Sequence, residues 1–133
     1  MSGPASDPLR RRAVLRLRDN ARERIDFVVT LATPLPVPVG PAAADPSARL
    51  TLRYVPDREI LEPACLDDYL AQLAAEDWAG PEDLAATLFD DVNNQLVPRW
   101  LHLALTAGAV RIDLHDRQPE WDNPGLLSML PRV

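Results

Sequence analysis

The sequence predicts an α+β domain: one antiparallel sheet with two helices on one face, in the order strand, strand, helix, helix, strand, strand. Three observations carry this expectation. Leu50-Thr51-Leu52-Arg53-Tyr54-Val55 alternates apolar and polar residues, the period of a half-buried strand. Two stripes at helical spacing follow, Leu66, Tyr69, Leu70 and Leu73, then Leu84, Leu88, Phe89, Val92 and Leu96. Leu101, Leu103 and Leu105 alternate in a third run, and Val110, Ile112 and Leu114 in a fourth.

Taken in order, residues 1–24 read as a solvated Arg-rich leader, with a short helix across Arg10–Arg18. Ile25–Ala32 is apolar almost throughout, which suits a strand covered on both faces. Thr33–Pro46 holds five prolines and one glycine, so it is a loop. After the Leu50–Val55 strand, Pro56-Asp57 is a stop. The first helix spans about Pro63–Glu76; proline suits its first position because that N–H has no partner in any helix. The second starts at Gly80-Pro81, with Glu82 and Asp83 on its positive end, and Pro98 stops it. Asp83, Asp90 and Asp91 read as its solvated side. Ala107-Gly108 makes the last two strands a hairpin, closed by Leu105 opposite Val110. The domain proper is then 25–115, and 116–133, with three prolines, reads as an irregular tail.

Composition narrows the chemistry. The chain has 133 residues and a net charge of −6, enough for one modest core. The first 24 residues carry +4 and the remainder −10, and an acidic body argues against nucleic acid as the main partner. All fourteen basic residues are Arg, which excludes Schiff-base lysines, pyridoxal phosphate attachment and P-loop phosphate binding. Cys65 is the only cysteine, so there is no intrachain disulfide, and a reducing cytoplasm is expected. No run is long enough to span a bilayer, and no apolar stretch follows the basic head as a secretory signal requires. Two histidines and one cysteine at these separations make no zinc site, and neither metal nor cofactor is expected.

The element order is that of the tunnelling fold (T-fold), and local words narrow it further. Tyr54-Val55-Pro56-Asp57, followed by Glu62 and a helix, resembles the Y-I-P-D…E-S-K-S-L-K segment of the 7-cyano-7-deazaguanine nitrile reductases. Val97-Pro98-Arg99-Trp100 resembles that family's D-P-R-W/Y, and Val110-Arg111-Ile112-Asp113 its I-S-I-D. The resemblance covers roughly residues 25–115 and implies a homo-oligomer with ligand sites between subunits.

The departures bear on activity. The family attacks its nitrile with the cysteine of a C-P-x-T-G-Q-P-D loop. Here the corresponding loop, about Val39–Ser47, has no cysteine, and Val39 or Gly40 falls at the nucleophile. The NADPH word E-S-K-S-L-K has become Glu62-Pro63-Ala64-Cys65-Leu66-Asp67, without its lysines and with an added acid. The family's H-E pair is Pro81-Glu82, and the resemblance implies that Glu82 grips the N–H edge of a planar heterocycle through both carboxylate oxygens.

Candidate acid/base residues are therefore Glu82, His102 and Asp113. Candidate ring contacts are Glu62, Trp78, Glu82, Trp100 and Arg111. With Leu105 opposite Val110, His102 stands opposite Asp113 and Trp100 opposite His115, all on the face opposite the leucines, with Arg111 beside them. Each candidate has a plainer role: Glu82 as a helix-start charge, His102 and Asp113 as a surface ladder, Trp78 as a core plug, Cys65 as a buried structural thiol. The expected function is metal-free acid/base chemistry on a planar N-heteroaromatic substrate in specialised metabolism, such as an amine–aldehyde condensation with ring closure of the Pictet–Spengler type. The alternatives are a non-catalytic binding or assembly protein, and an NADPH-dependent nitrile reductase, which the missing thiol disfavours.

Overall fold

The computed structural model describes residues 8–39 and 44–133. The alternation in Leu50–Val55 acts as expected. In β3 (Arg49–Val55), Leu50, Leu52 and Tyr54 are fully buried on one face. β3 is central in a four-stranded antiparallel sheet ordered β2-β3-β5-β6, with β2 Val29–Pro34, β5 Trp100–Ala107 and β6 Val110–Arg117. Leu101, Leu103 and Leu105 of β5 continue the apolar face. The two helices, α2 (Cys65–Ala74) and α3 (Pro81–Leu96), lay their predicted stripes on it, and strands and helices share one core. Burying these large side chains supplies most of the drive to fold, about 1.5–3 kcal/mol each. The architecture is thus α+β, with both long helices on one face of an antiparallel sheet.

Several local expectations are corrected. β2 begins at Val29, not Ile25, and alternates half-buried with exposed residues. It is an edge strand, so one side has no neighbour, and its terminal Pro34 is tolerated there. The hairpin closes at Ala107–Val110. Gly108 at the first loop position takes φ +58°, where a two-residue turn wants glycine. The register therefore differs by two residues: His102 pairs with His115, and Trp100 with Arg117. A shift of two keeps every side chain on its expected face.

Residues 8–19 hold a short helix α1 (Pro8–Arg12) and a strand β1 (Leu17–Asp19), in place of the helix expected across Arg10–Arg18. β1 pairs antiparallel with β4 (Glu59–Leu61), Leu17 opposite Leu61. A strand of three residues has no readable period, so neither was legible. In the tail β6 runs on to Arg117, and α4 (Pro124–Ser128) is capped by Asn123, whose side chain accepts from the Leu126 N–H.

Asp91, expected on the solvated side of α3, has no exposed surface. Its carboxylate accepts from Arg11 and Arg12 of α1 and from the Tyr69 hydroxyl of α2. Burial works to raise its pKa, but these hydrogen bonds outweigh burial and hold it below the usual carboxylate value. Burial, with Asp91's negative charge beside it, pushes the Tyr69 hydroxyl far up. One ion-paired centre thus ties α1, α2 and α3 together.

The words that carried the resemblance hold a corner of the fold. The Tyr54 hydroxyl accepts from the Leu61 N–H at 3.0 Å. Arg99 donates to Asp57 and Asp26, and Gln118 adds a bond to Asp57. Trp121 and Asn123 donate to the other oxygen of Asp26, which fastens the tail to the start of β2. Val97, between α3 and Pro98, is left-handed at φ 48°. For a β-branched residue that conformation costs on the order of 1 kcal/mol. No helix among the described residues is long and apolar enough to cross a membrane.

Candidate functional site

The described parts of the proline-rich loop after β2, residues 35–39 and 44–48, are held to each other and to the core. The Leu35 N–H donates to the Ala48 carbonyl, one step beyond the Pro34–Arg49 pair, and Leu35 and Val37 are almost fully buried. Where this loop meets the start of α3 and the β5–β6 turn there is a cleft of about 290 Å³. Its lining is aliphatic: Leu35, Val37, Val39, Ala48, Pro81, Ala107 and Val110, with Gly108. Gly40, the other candidate for the nucleophile position, lies outside the described residues.

One charged side chain lines the cleft among the described residues, Asp45. Its Oδ1 accepts from the Ser47 N–H at 2.8 Å and the Ser47 hydroxyl at 2.7 Å, and its Oδ2 accepts from the Gly108 N–H at 2.8 Å. The Ser47 bonds, then the Gly108 bond, favour the ionised form and lower its pKa. Asp45 is thus a fixed anion that clamps the loop to the hairpin turn. Sequence reasoning missed it. The available signal was Asp45-Pro46-Ser47, an Asp whose carboxylate caps its own turn two residues on.

Glu82 is exposed on α3 directly after the cleft-lining Pro81. Its carboxylate folds back over the helix start, where a Cβ on Gly80 would stand 2.8 Å from Oε2. Gly80 is ordinary extended backbone at φ −164°, so its lack of a side chain matters there for room.

His102, Asp113, Trp100 and Arg111 come together on the sheet face opposite the leucines, away from both long helices. His102 Nε2 lies 2.8 Å from Asp113 Oδ1, a diagonal contact rather than the directly opposed pair expected. Arg53 donates to His102 Nδ1 at 3.2 Å, which fixes Nδ1 as acceptor and puts the ring proton on Nε2, toward Asp113. Burial, then the Arg53 and Arg111 charges, lower the His102 pKa against the pull of Asp113. Arg111 clamps Asp113 through two bonds and, with His102, brings its pKa down to about 2. Trp100 stacks on His102, with ring centroids 6.1 Å apart, and Arg53 lies over the indole. Arg53 also reaches the Pro131 carbonyl of the tail at 2.8 Å. Neutral His102 is here the middle of a satisfied ladder.

The remaining candidates lie elsewhere. Trp78 is buried, its indole N–H donating to the Leu73 carbonyl at 2.8 Å, which makes it a plug between α2 and α3. Glu62 sits by β1 with Arg18 at 3.6 Å. Cys65 is fully buried, its thiol on the Glu62 carbonyl at 2.9 Å. Within one subunit, therefore, Glu82 does not meet His102 and Asp113.

No family model matches the chain. It is similar to the NADPH-dependent 7-cyano-7-deazaguanine reductases of two strains of Acidithiobacillus ferrooxidans, 30% identical over 120 residues, covering 86% of this chain and 84% of the relative. It is also similar to the enzyme of that name from Syntrophus aciditrophicus, 29% identical over 105 residues and 74% of each chain. With that extent of likeness spread over the α+β sheet and both long helices, the chain belongs to the 7-cyano-7-deazaguanine reductase family, and its fold is the tunnelling fold of that family.

Proposed function

We propose that this chain keeps the family's ring-binding cleft without its nitrile reduction, and binds a planar N-heteroaromatic molecule for acid/base chemistry. The observation that carries the reading is where the only thiol lies. Cys65 is buried in α2 against Glu62, while the cleft wall is built of Leu35, Val37 and Val39. A nitrile carbon in the cleft would meet no nucleophile of thiolate strength.

The relatives' NADPH does not fit the residues present. The matching segment offers exposed Asp67 and Asp68, and the arginines near it, Arg16 and Arg18, face Asp68 and Glu62 at 3.6 Å. Phosphates set against carboxylates are repelled.

In this reading Glu82 accepts from the ring N–H edge beside Pro81, and Asp45, held by Ser47 and Gly108, is a second carboxylate on the cleft lining. A condensation with ring closure suits such a pair: a protonated primary amine and an aldehyde lose water to give an iminium, a ring carbon closes on the iminium carbon, and a carboxylate takes the ring proton, leaving a neutral cyclic amine. Incubated with NADPH and 7-cyano-7-deazaguanine, the protein is expected to oxidise no NADPH and to gain no mass equal to the nitrile. Either signal on the intact chain would overturn the reading.

The edges of the sheet support assembly into a homo-oligomer with ligand sites between subunits. β2 and β6 each leave a side unpaired among the described residues, and unpaired edges invite a neighbouring strand. Light scattering at micromolar concentration is expected to return an oligomer; a monomer would refute that part. A non-catalytic assembly protein is the second reading, favoured by the same open edges. Assembly without binding of any purine, pterin or indole would select it.

A further inference from the structure

We infer that the cleft beside Pro81 selects an organic cation: a small aromatic body carrying an ammonium group, seated on the aliphatic wall with its charge toward Asp45. The inference rests on the ring-binding reading and narrows it to a charge class. The wall of Leu35, Val37, Val39 and Val110 presents hydrocarbon and no donor side chain. The one charged lining group among the described residues is a carboxylate, which when ionised can only accept hydrogen bonds. Three of its bonds are spent on Ser47 and Gly108, which hold it in place rather than neutralise it, since every partner is an uncharged N–H or O–H.

A ligand that satisfies both parts must bring apolar surface and a donor, and a charged donor is the stronger partner for a carboxylate. Glu82, the residue after cleft-lining Pro81, adds negative potential to this region of the surface. A carboxylate-bearing ligand would meet both anions. At about 290 Å³ the space suits one or two rings with a short chain.

Three probes of one shape and different charge test this on the full chain at neutral pH: 2-phenylethylamine, 2-phenylethanol and 3-phenylpropanoate. Calorimetry gives affinities, and NMR shifts at Val37, Ala107 and Val110 report occupancy of the cleft. The amine is expected to bind at least about fivefold tighter than the alcohol, and the propanoate most weakly. Asp45→Asn is expected to bring amine and alcohol within about twofold of each other.

Because Asp45 also clamps the loop, a second pair of variants leaves the clamp alone. Val110 is 39% exposed at the rim. Both variants give up the same piece of apolar wall, so they are compared with each other: the amine is expected to bind Val110→Glu tighter than Val110→Arg, and the alcohol to bind the two alike. Equal binding of amine and alcohol, preference for the propanoate, or an amine affinity indifferent to the Val110 charge would overturn the inference. If neutral rings bind at Glu82 and the amine has no advantage, only this inference falls. If no ring of any charge binds, the ring-binding reading falls and takes this inference with it.

Discussion

Replacing Asp91 by alanine is expected to lower the unfolding free energy by about 3–5 kcal/mol, the usual result of removing one member of a buried ion-paired group. A domain of this size commonly has about 5–15 kcal/mol in total, so much of the population would unfold on mild heating. The effect is large because three groups lose this carboxylate at once: Arg11 and Arg12 from α1 and the Tyr69 hydroxyl from α2, with Arg11 keeping Glu76 at 4.0 Å. Asp90→Ala, one residue away and exposed, is the control and is expected to stay within about 0.5 kcal/mol. The pH dependence has a definite sign. Asp91 is held below its ordinary 3.8, so its contribution is complete above that value and is lost as the pH falls through the lowered one. Asp91→Asn should therefore lack part of the wild-type loss of stability in acid. Urea titrations of the three variants at neutral and acid pH check both statements. An Asp91→Ala protein as stable as Asp90→Ala would show that α1 is not fastened through this centre.

Replacing Glu82 by glutamine is expected to weaken binding or turnover of a planar N–H heterocycle about ten- to a hundredfold, the worth of one ionic hydrogen bond. Glutamine keeps the size and one acceptor oxygen but sets an NH₂ group against ring donors. The fold should survive, because an exposed charge on a helix start contributes only about 0.3–1 kcal/mol. Asp83→Asn shares that dipole role without sitting next to the cleft-lining Pro81, so it separates the two explanations. Calorimetry against indoles, purines and pterins reads the difference. Equal behaviour of the two variants would reduce Glu82 to a helix-start residue.

Periodic elements were legible in the sequence and short ones were not. The helix stripes Leu66/Tyr69/Leu70/Leu73 and Leu84/Leu88/Val92/Leu96 are buried as their spacing predicts. β1, β4 and α4, of three to five residues, have no period to read and form because something distant meets them: Leu61 for Leu17, Asp26 for Trp121 and Asn123. The site divides in the same way. Glu82 was legible because a resemblance fixed its place. Asp45 was not, because its importance comes from Gly108, 63 residues along the chain.

By itself the sequence determined the α+β layering, the family and the missing thiol, since each depends on which residues stand at which spacing. Tertiary structure decided the rest, because it turns on pairings between distant segments. It set the hairpin register two residues from the expected one, so that His102 meets Asp113 diagonally rather than directly opposite. It turned Asp91 from a surface acid into a buried anchor. Charge type is written in a sequence, but the partner that makes a charge structural or chemical is supplied only when the chain has folded.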